Sequence, residues 1–423
     1  MYDYSEEPRR DVLFIDVKSF YASVECIKRG LDPMTTLLIV MSKAENAGGL
    51  VLAASPMAKK VLGISNVTRR HEVPDHPELL VVPPRMGLYI QENLKIADIL
   101  KQYATDDDFY PYSIDESMID ITHSWHLFGD SPWEVAEKIQ QHIRHETGLV
   151  TTVCLGDNPV LAKFGMDLEA KKTPNFMSEW RYEDVPAKLW PIDNLTDIWG
   201  IGTKTAEKLH LMGIDSIYDV AHANPYRLKE KFGVLGFQLF AHSHGIDRTK
   251  VSDKLIVKEK SIGNSQILNY DYTNQSEIET VIREMADQVA SRIRELGNQT
   301  ECVGLLVRYS RNDELQGFSK QLKITRTSNS KQLIAYCLTL FRKNYDSSYS
   351  VRQLGISYSK LVKTDSLQLD LFSTAEEETA DVSLDFLVDK IRTRYGYASL
   401  VHASSMLDGA TAISRRDHLI GGH

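Results

Sequence analysis

The stretch that most constrains this chain is DVLFID at residues 11–16, an unbroken apolar run that ends on a carboxylate. A run so short and so apolar reads as a strand buried on both faces. The residues after it, SFYASVECIKRG, have helical spacing. Asp16 is therefore expected where a central strand ends and the chain turns, at the rim of a sheet. A second stretch repeats the arrangement: in DFYPYSIDESMIDIT (108–122) two short apolar strands meet at Asp115 and Glu116, with Asp120 further along.

Carboxylates brought to one rim repel one another and raise each other's pKa. Divalent cations relieve that conflict, and hard oxygen donors suit Mg²⁺. A pair of ions about 4 Å apart can clamp the attacking and leaving oxygens of a phosphoryl transfer. Taken alone, the same residues read equally well as a helix cap at Asp16 and an acidic turn at 115–116.

The remaining pattern is an α+β mixture. Strands are expected at 37–42, 48–54, 78–84 and 149–155, and helices at 57–64, 85–104, 133–146 and 161–172. From 176 to 245 the apolar spacing is helical, broken by Gly200, Gly202, Gly213, Gly233 and Gly236. A polar stretch, GIDRTKVSDK (245–254), reads as a linker; beyond it strands mix with two helices near 276–296 and 330–344. A tail follows from 374, with a helix around 383–394.

No apolar run approaches the ~18 residues of a membrane span. The N-terminus starts acidic and lacks a secretory pattern, so a cytoplasmic protein is expected. The four cysteines (Cys26, Cys154, Cys302, Cys337) form no CxxC clip and read as reduced, buried thiols. The net charge of −9 argues at first sight against nucleic acid. The charge is segregated, however: residues 1–120 carry 13 Lys+Arg against 19 Asp+Glu, whereas 251–365 carry 17 against 13. A basic module within an acidic chain suits a grip on phosphates.

The strings IDVKSFYASVE (15–25) and YSIDES (112–117), in this order, resemble the two metal-binding motifs of the Y-family, lesion-bypass DNA polymerases, and most closely their bacterial UmuC-like branch. The resemblance covers the whole chain. It implies a multidomain right-hand polymerase: a ferredoxin-like palm (10–30 and 85–175), small fingers (31–84), a helical helix–hairpin–helix thumb (176–245) and an α+β little finger (246–365). It also implies that Asp16, Asp115 and Glu116 hold two Mg²⁺ ions with the Val17 carbonyl as a further ligand. Phe20 and Tyr21 would meet the incoming dNTP, with the Tyr21 ring under its sugar. Lys59 and Lys163 would lie against the triphosphate. Many members carry an aromatic residue and, three positions on, an Arg; here Pro56 and Lys59 stand there, and Lys cannot grip bidentately.

LTDIWGIGTKTAEKLHLMGI (195–214) matches a helix–hairpin–helix. Its glycines, Gly200 and Gly202, let backbone N–H groups approach a DNA phosphate, and Lys204 adds charge. An ordinary αα-hairpin is the plainer reading. KSIGNSQ (260–266) and FSKQLKITR (318–326) would track the template backbone. QLDLF (366–373 with its flanks) looks like a sliding-clamp peptide, anchored by Gln368, Leu369, Leu371 and Phe372. A monomer binding primer–template DNA is the expectation. Three other classes share parts of the pattern. A non-enzymatic DNA-binding relative would be expected to lose one of the three acids. A nucleotide cyclase has no use for the hairpin, the basic module or QLDLF. A nuclease remains compatible with two-metal chemistry alone.

Overall fold

The computed structural model describes residues 2–42, 49–253, 260–311, 313–363 and 375–414, and side chains from 383 onward in the last stretch. The chain divides into two compact units, Met1–Lys254 and Leu255–His423.

The first unit is built on a five-stranded sheet in the order β5-β6-β1-β7-β8. Its strands are β1 (Val12–Val17), β5 (Phe109–Pro111), β6 (Glu116–Asp120), β7 (Thr151–Gly156) and β8 (Met177–Trp180). Because side chains alternate along a strand, β1 feeds two cores. Leu13, Ile15 and Val17 face α1 (Phe20–Ile27), α3 (Met86–Leu100) and α4 (Pro132–Thr147). Val12 and Phe14 face α5 (Pro159–Leu168), in a core that continues into the helices after residue 195. Burial on both faces is why DVLFI carries no polar alternation. Helix α5 lies close on the sheet because Gly165 has no side chain: a Cβ there would sit 2.4 Å from Cys154 Sγ and 2.6 Å from Trp180 Cδ1.

Strand β8 departs from the sequence reading, which starts a helical segment at 176. It pairs parallel with β7 and completes the palm sheet. Four residues, MSEW, are too few to show a strand period beside a helical stretch.

Among the described residues of 31–84 lies a small three-stranded sheet, β3-β2-β4, from β2 (Leu38–Ser42), β3 (Leu50–Ala54) and β4 (Leu80–Val82), with α2 (Pro56–Leu62) against it. The Ser55 side chain caps α2 by accepting from Ala58 N–H, and Pro56 occupies the first turn. That is a favoured place for proline, since its missing N–H is not needed there. Four helices follow, α6 (Thr203–His210), α7 (Ile217–His222), α8 (Pro225–Phe232) and α9 (Val234–Ser243). The first limb of the expected hairpin is only a 3₁₀ turn, Leu195–Asp197.

The second unit is an antiparallel sheet in the order β11-β10-β12-β9, made of β9 (Ile262–Tyr272), β10 (Asn298–Tyr309), β11 (Gly317–Thr327) and β12 (Val351–Lys363). Two helices, α10 (Gln275–Glu295) and α11 (Ser330–Asn344), share its core. Both were legible from apolar spacing. The tail helix α12 (Ala375–Tyr395) starts earlier than the sequence suggested. It is fixed to α10 by ions: Arg294 meets Asp389 at 2.7 Å and Asp385 at 3.3 Å, and Arg392 meets Asp287 at 2.7 Å. Further on, Glu284 Oε2 accepts from the N–H groups of Thr411 and Ala412. The four cysteines are buried free thiols.

Candidate active site

Sheet register brings the acids together. Asp16, near the end of β1, pairs directly with Glu116, the first residue of β6, so both side chains leave the same face. Val17 N–H donates to the Asp115 carbonyl at 2.9 Å, which holds the backbone of that turn against the end of β1. Ser113 shapes the turn further. Its hydroxyl donates to Asp115 Oδ1 at 2.8 Å and accepts from the Glu116 N–H at 3.1 Å. Asn93 Nδ2 fixes the same turn through the Ile114 carbonyl at 2.8 Å.

The cluster is electrostatically unbalanced. Burial pushes the Asp16 carboxyl up to about 6; Asp115 and Glu116 add to the rise, and Lys171 opposes it. Two ammonium groups answer the acids. Lys171 Nζ sits 2.9 Å from Asp16 and 2.8 Å from Asp167. Lys163 Nζ sits 2.5 Å from Glu116 and 3.2 Å from Asp167. Burial works against the charge on Lys171, yet Asp16 and Asp167 more than offset it and raise its pKa. Among the described residues, no three His, Cys, Asp or Glu side chains are gathered closely enough to hold a metal ion as they stand. The donor chemistry nonetheless fits a hard divalent cation: oxygen ligands on paired strand ends, one of them made reluctant to ionise by burial and then by its neighbours.

The side chains expected to meet the nucleotide lie in different surroundings. Lys163 is only 6% exposed and is fully engaged beneath the carboxylates, so its amine does not project into open space as a triphosphate contact would. Lys171, on the same side at spacing 163–167–171, is the more open amine, with its side chain 38% exposed; the sequence reading missed it. The Phe20 ring is 3% exposed and packs in the palm core. Tyr21 differs. Its ring stacks on Tyr89 at 4.4 Å and 13°, and its pKa is raised by burial and by the nearby Asp115. Tyr89 in turn donates to the buried carboxylate of Glu25 at 2.9 Å, which Arg85 also holds at 2.6 and 2.9 Å. The acidic end of IDVKSFYASVE thus supports the floor of the site. Lys59, on α2, is exposed; desolvation lowers its pKa while Asp16 and Asp115 pull it back up. That influence puts it within electrostatic reach of the carboxylates.

At the hairpin, Gly200 has φ +91°, a backbone state that favours glycine. Gly202 caps α6, and both Gly202 and Lys204 are exposed. Gln368, Leu369, Leu371 and Phe372 lie outside the described residues.

Comparison with known proteins agrees with this geometry. Residues 15–167, 182–214 and 259–371 match, in turn, the impB/mucB/samB family, the IMS family HHH motif and the impB/mucB/samB C-terminal domain. The UvrX protein of Bacillus subtilis (strain 168) is 38% identical, with both chains covered over 100% of their length. The chain belongs to the impB/mucB/samB family of Y-family DNA polymerases. A protein named DNA polymerase IV 2, also from B. subtilis (strain 168), is 34% identical over 97% of this chain and 98% of its own. The solved Y-family DNA polymerase chimera Dbh-Dpo4(243-245)-Dbh has the same fold: its TM-score is 0.67 at 22% identity, covering 84% of this polymerase and 100% of the chimera. The matched family segment 15–167 spans every acid of the cluster described above. Among the described residues, no helix is long and apolar enough to cross a membrane.

Proposed function

We propose that this polymerase carries out error-prone translesion synthesis in the damage response, with two Mg²⁺ ions held by Asp16, Asp115, Glu116 and the Val17 carbonyl. The observation that carries the reading is the direct register of Asp16 with Glu116, with Asp115 hydrogen-bonded beside it. When bound, the ions supply charge neutralisation for attack of a primer 3′-hydroxyl on a dNTP α-phosphate. The chain's own residues position the reactants. The Tyr21 ring, braced by Tyr89, blocks the space of a 2′-hydroxyl. Lys171 and Lys59 present ammonium groups to a triphosphate as point charges. Gly200, Gly202 and Lys204 hold the DNA backbone without reading bases. The small residues of the 31–84 segment, among them Ala53, Ala54 and Ser55, favour a roomy site over the template base and hence low fidelity. A damage-repair role accords with the name of UvrX, which refers to UV-damage repair. The QLDLF peptide would recruit a sliding clamp to a monomeric, cytoplasmic enzyme.

Primer extension with Mg²⁺ on damaged and undamaged templates tests this reading. The expected result is bypass of damage with frequent errors, lost in Asp115→Ala/Glu116→Ala. Replicative fidelity on undamaged template would contradict it. In the same assay Tyr21→Ala should admit ribonucleotides. Leu371→Ala/Phe372→Ala should lose clamp in a pull-down while distributive synthesis persists.

A further inference from the structure

We propose that Tyr112 and Trp199 are positioning residues that tie the DNA-holding hairpin to the carboxylate turn, so that the rate of insertion depends on their contact. The inference rests on the roles proposed above for Asp115, Glu116 and the Gly200 hairpin. The Trp199 indole N–H donates to the Tyr112 hydroxyl at 3.2 Å, with the rings 6.4 Å apart and near edge-on.

Each partner is fixed at its far side. Trp199 immediately precedes Gly200, whose positive φ makes the hairpin turn, and its indole stacks on His242 of α9 at 6.1 Å and 24°. Tyr112 donates its backbone N–H to the Glu116 carbonyl at 3.0 Å. Its ring meets Phe14 edge-on at 5.3 Å. Lys163 Nζ lies 5.6 Å from the Tyr112 ring and 4.6 Å from the Phe14 ring, and that same amine holds the Glu116 carboxylate. The hairpin is thus linked to Glu116 through one side-chain hydrogen bond.

Core packing does not explain this contact. Trp199 and Tyr112 are each 37% exposed, and an exposed hydrogen bond of this kind adds little to stability. Its value lies in geometry. A phosphate backbone seated on the Gly200 turn fixes the indole, the indole fixes the Tyr112 hydroxyl, and the turn carrying Asp115 and Glu116 loses freedom to drift. Small misplacements at a phosphoryl-transfer centre are costly in rate.

A double-mutant cycle tests the link, because only non-additivity shows that two residues act through each other. The full chain and its Tyr112→Phe, Trp199→Phe and double variants are compared in single-turnover insertion of one dNTP with Mg²⁺. Primer–template Kd and the melting temperature are measured alongside. Each single change should slow insertion about fivefold, the scale of one exchanged hydrogen bond. The double should be no slower than the slower single, and DNA Kd should be unchanged. Effects that multiply in the double, or insertion at the wild-type rate, would overturn the link. So would weaker DNA binding with an unchanged rate at saturating DNA. Tyr112→Phe removes one oxygen and keeps the ring packed, so it decides the matter if Trp199→Phe melts early. Asp115→Ala separates the two ideas. If it stays active, the carboxylate reading fails and this link with it; if it is dead while both aromatic variants insert normally, only the link fails.

Discussion

The palm and the second unit both gather acids and bases into clusters, and they treat them in opposite ways. In the second unit two buried arginines answer three carboxylates, and the group is packed away. Arg294, 3% exposed at its side chain, is held by Asp385 and Asp389; Arg392, 6% exposed, is held by Asp287. In the palm, Asp16, Asp115, Glu116 and Asp167 share two lysines, and burial with neighbouring acids leaves Asp16 at about 6. Arginines pair each second-unit carboxylate directly, whereas in the palm Asp115 is left without an ion pair among the described residues, as the proposed metal site requires.

The largest expected effect is on activity alone. Asp115 makes no ion pair among the described residues and accepts a hydrogen bond from Ser113. Asp115→Ala should therefore cut insertion by about 10³-fold, the several kcal/mol of charge stabilisation expected of a metal ligand. Its melting temperature should not fall, because the change also removes repulsion from Asp16. Lost stability matching lost activity would erase the contrast between the clusters. The reverse pattern is expected of Arg294→Ala. Removing a buried guanidinium leaves two carboxylates unanswered and should cost about 3 kcal/mol, read as a lower denaturant midpoint at unchanged slope.

The sequence made the acids legible and hid what surrounds them. Asp16 could be found because a buried strand ending on a carboxylate is unusual, and 115–116 because two apolar runs meet there. The pairing of Asp16 with Glu116 is a matter of strand register, which no local pattern specifies. Lys171 stands in a run, EAKK, that reads as solvated surface; only its spacing from Lys163 and Asp167 carried a signal. In the second unit the partners of Arg294 lie more than ninety residues away, 91 and 95 positions along the chain. Charge matching at that distance leaves no trace in composition, which is why the tail read as an appendage when it is bonded to α10.

The two palm lysines sharpen the comparison at a smaller scale. Lys171 is the partly open amine and Lys163 the enclosed one. Lys171→Ala should slow insertion about 10- to 100-fold, as expected for losing one charge aimed at developing anionic charge, with little change in melting temperature. Lys163→Ala should lower the melting temperature as well, since it unpairs Glu116 below the surface. Equal stability losses for the two would mean that both serve the fold.

A pH-dependent change, smaller still, is expected at a separate ion-paired group of the second unit, Glu279 with Arg342 and Arg283. Hydrogen bonds from Arg342, ahead of the opposing cost of burial, bring the Glu279 carboxyl down to about 2, with Gln275 and Arg283 contributing. Its folded pKa is therefore below that of the unfolded chain, so the unfolded state binds the proton more readily. Such a group stabilises fully above its unfolded value, near 4.3, and loses that contribution as pH falls toward 2. Because the side chains of Arg342 and Arg283 are 55% and 34% exposed, solvent screening holds the gain to about 1 kcal/mol. Glu279→Gln should lower stability by that amount at pH 7. The gap between variant and wild type should shrink as the pH drops below about 4. A gap that stays constant down to pH 2.5 would show that Glu279 acts through packing rather than charge, and the second unit's claim to stabilising ion pairs would then rest on Arg294 and Arg392 alone.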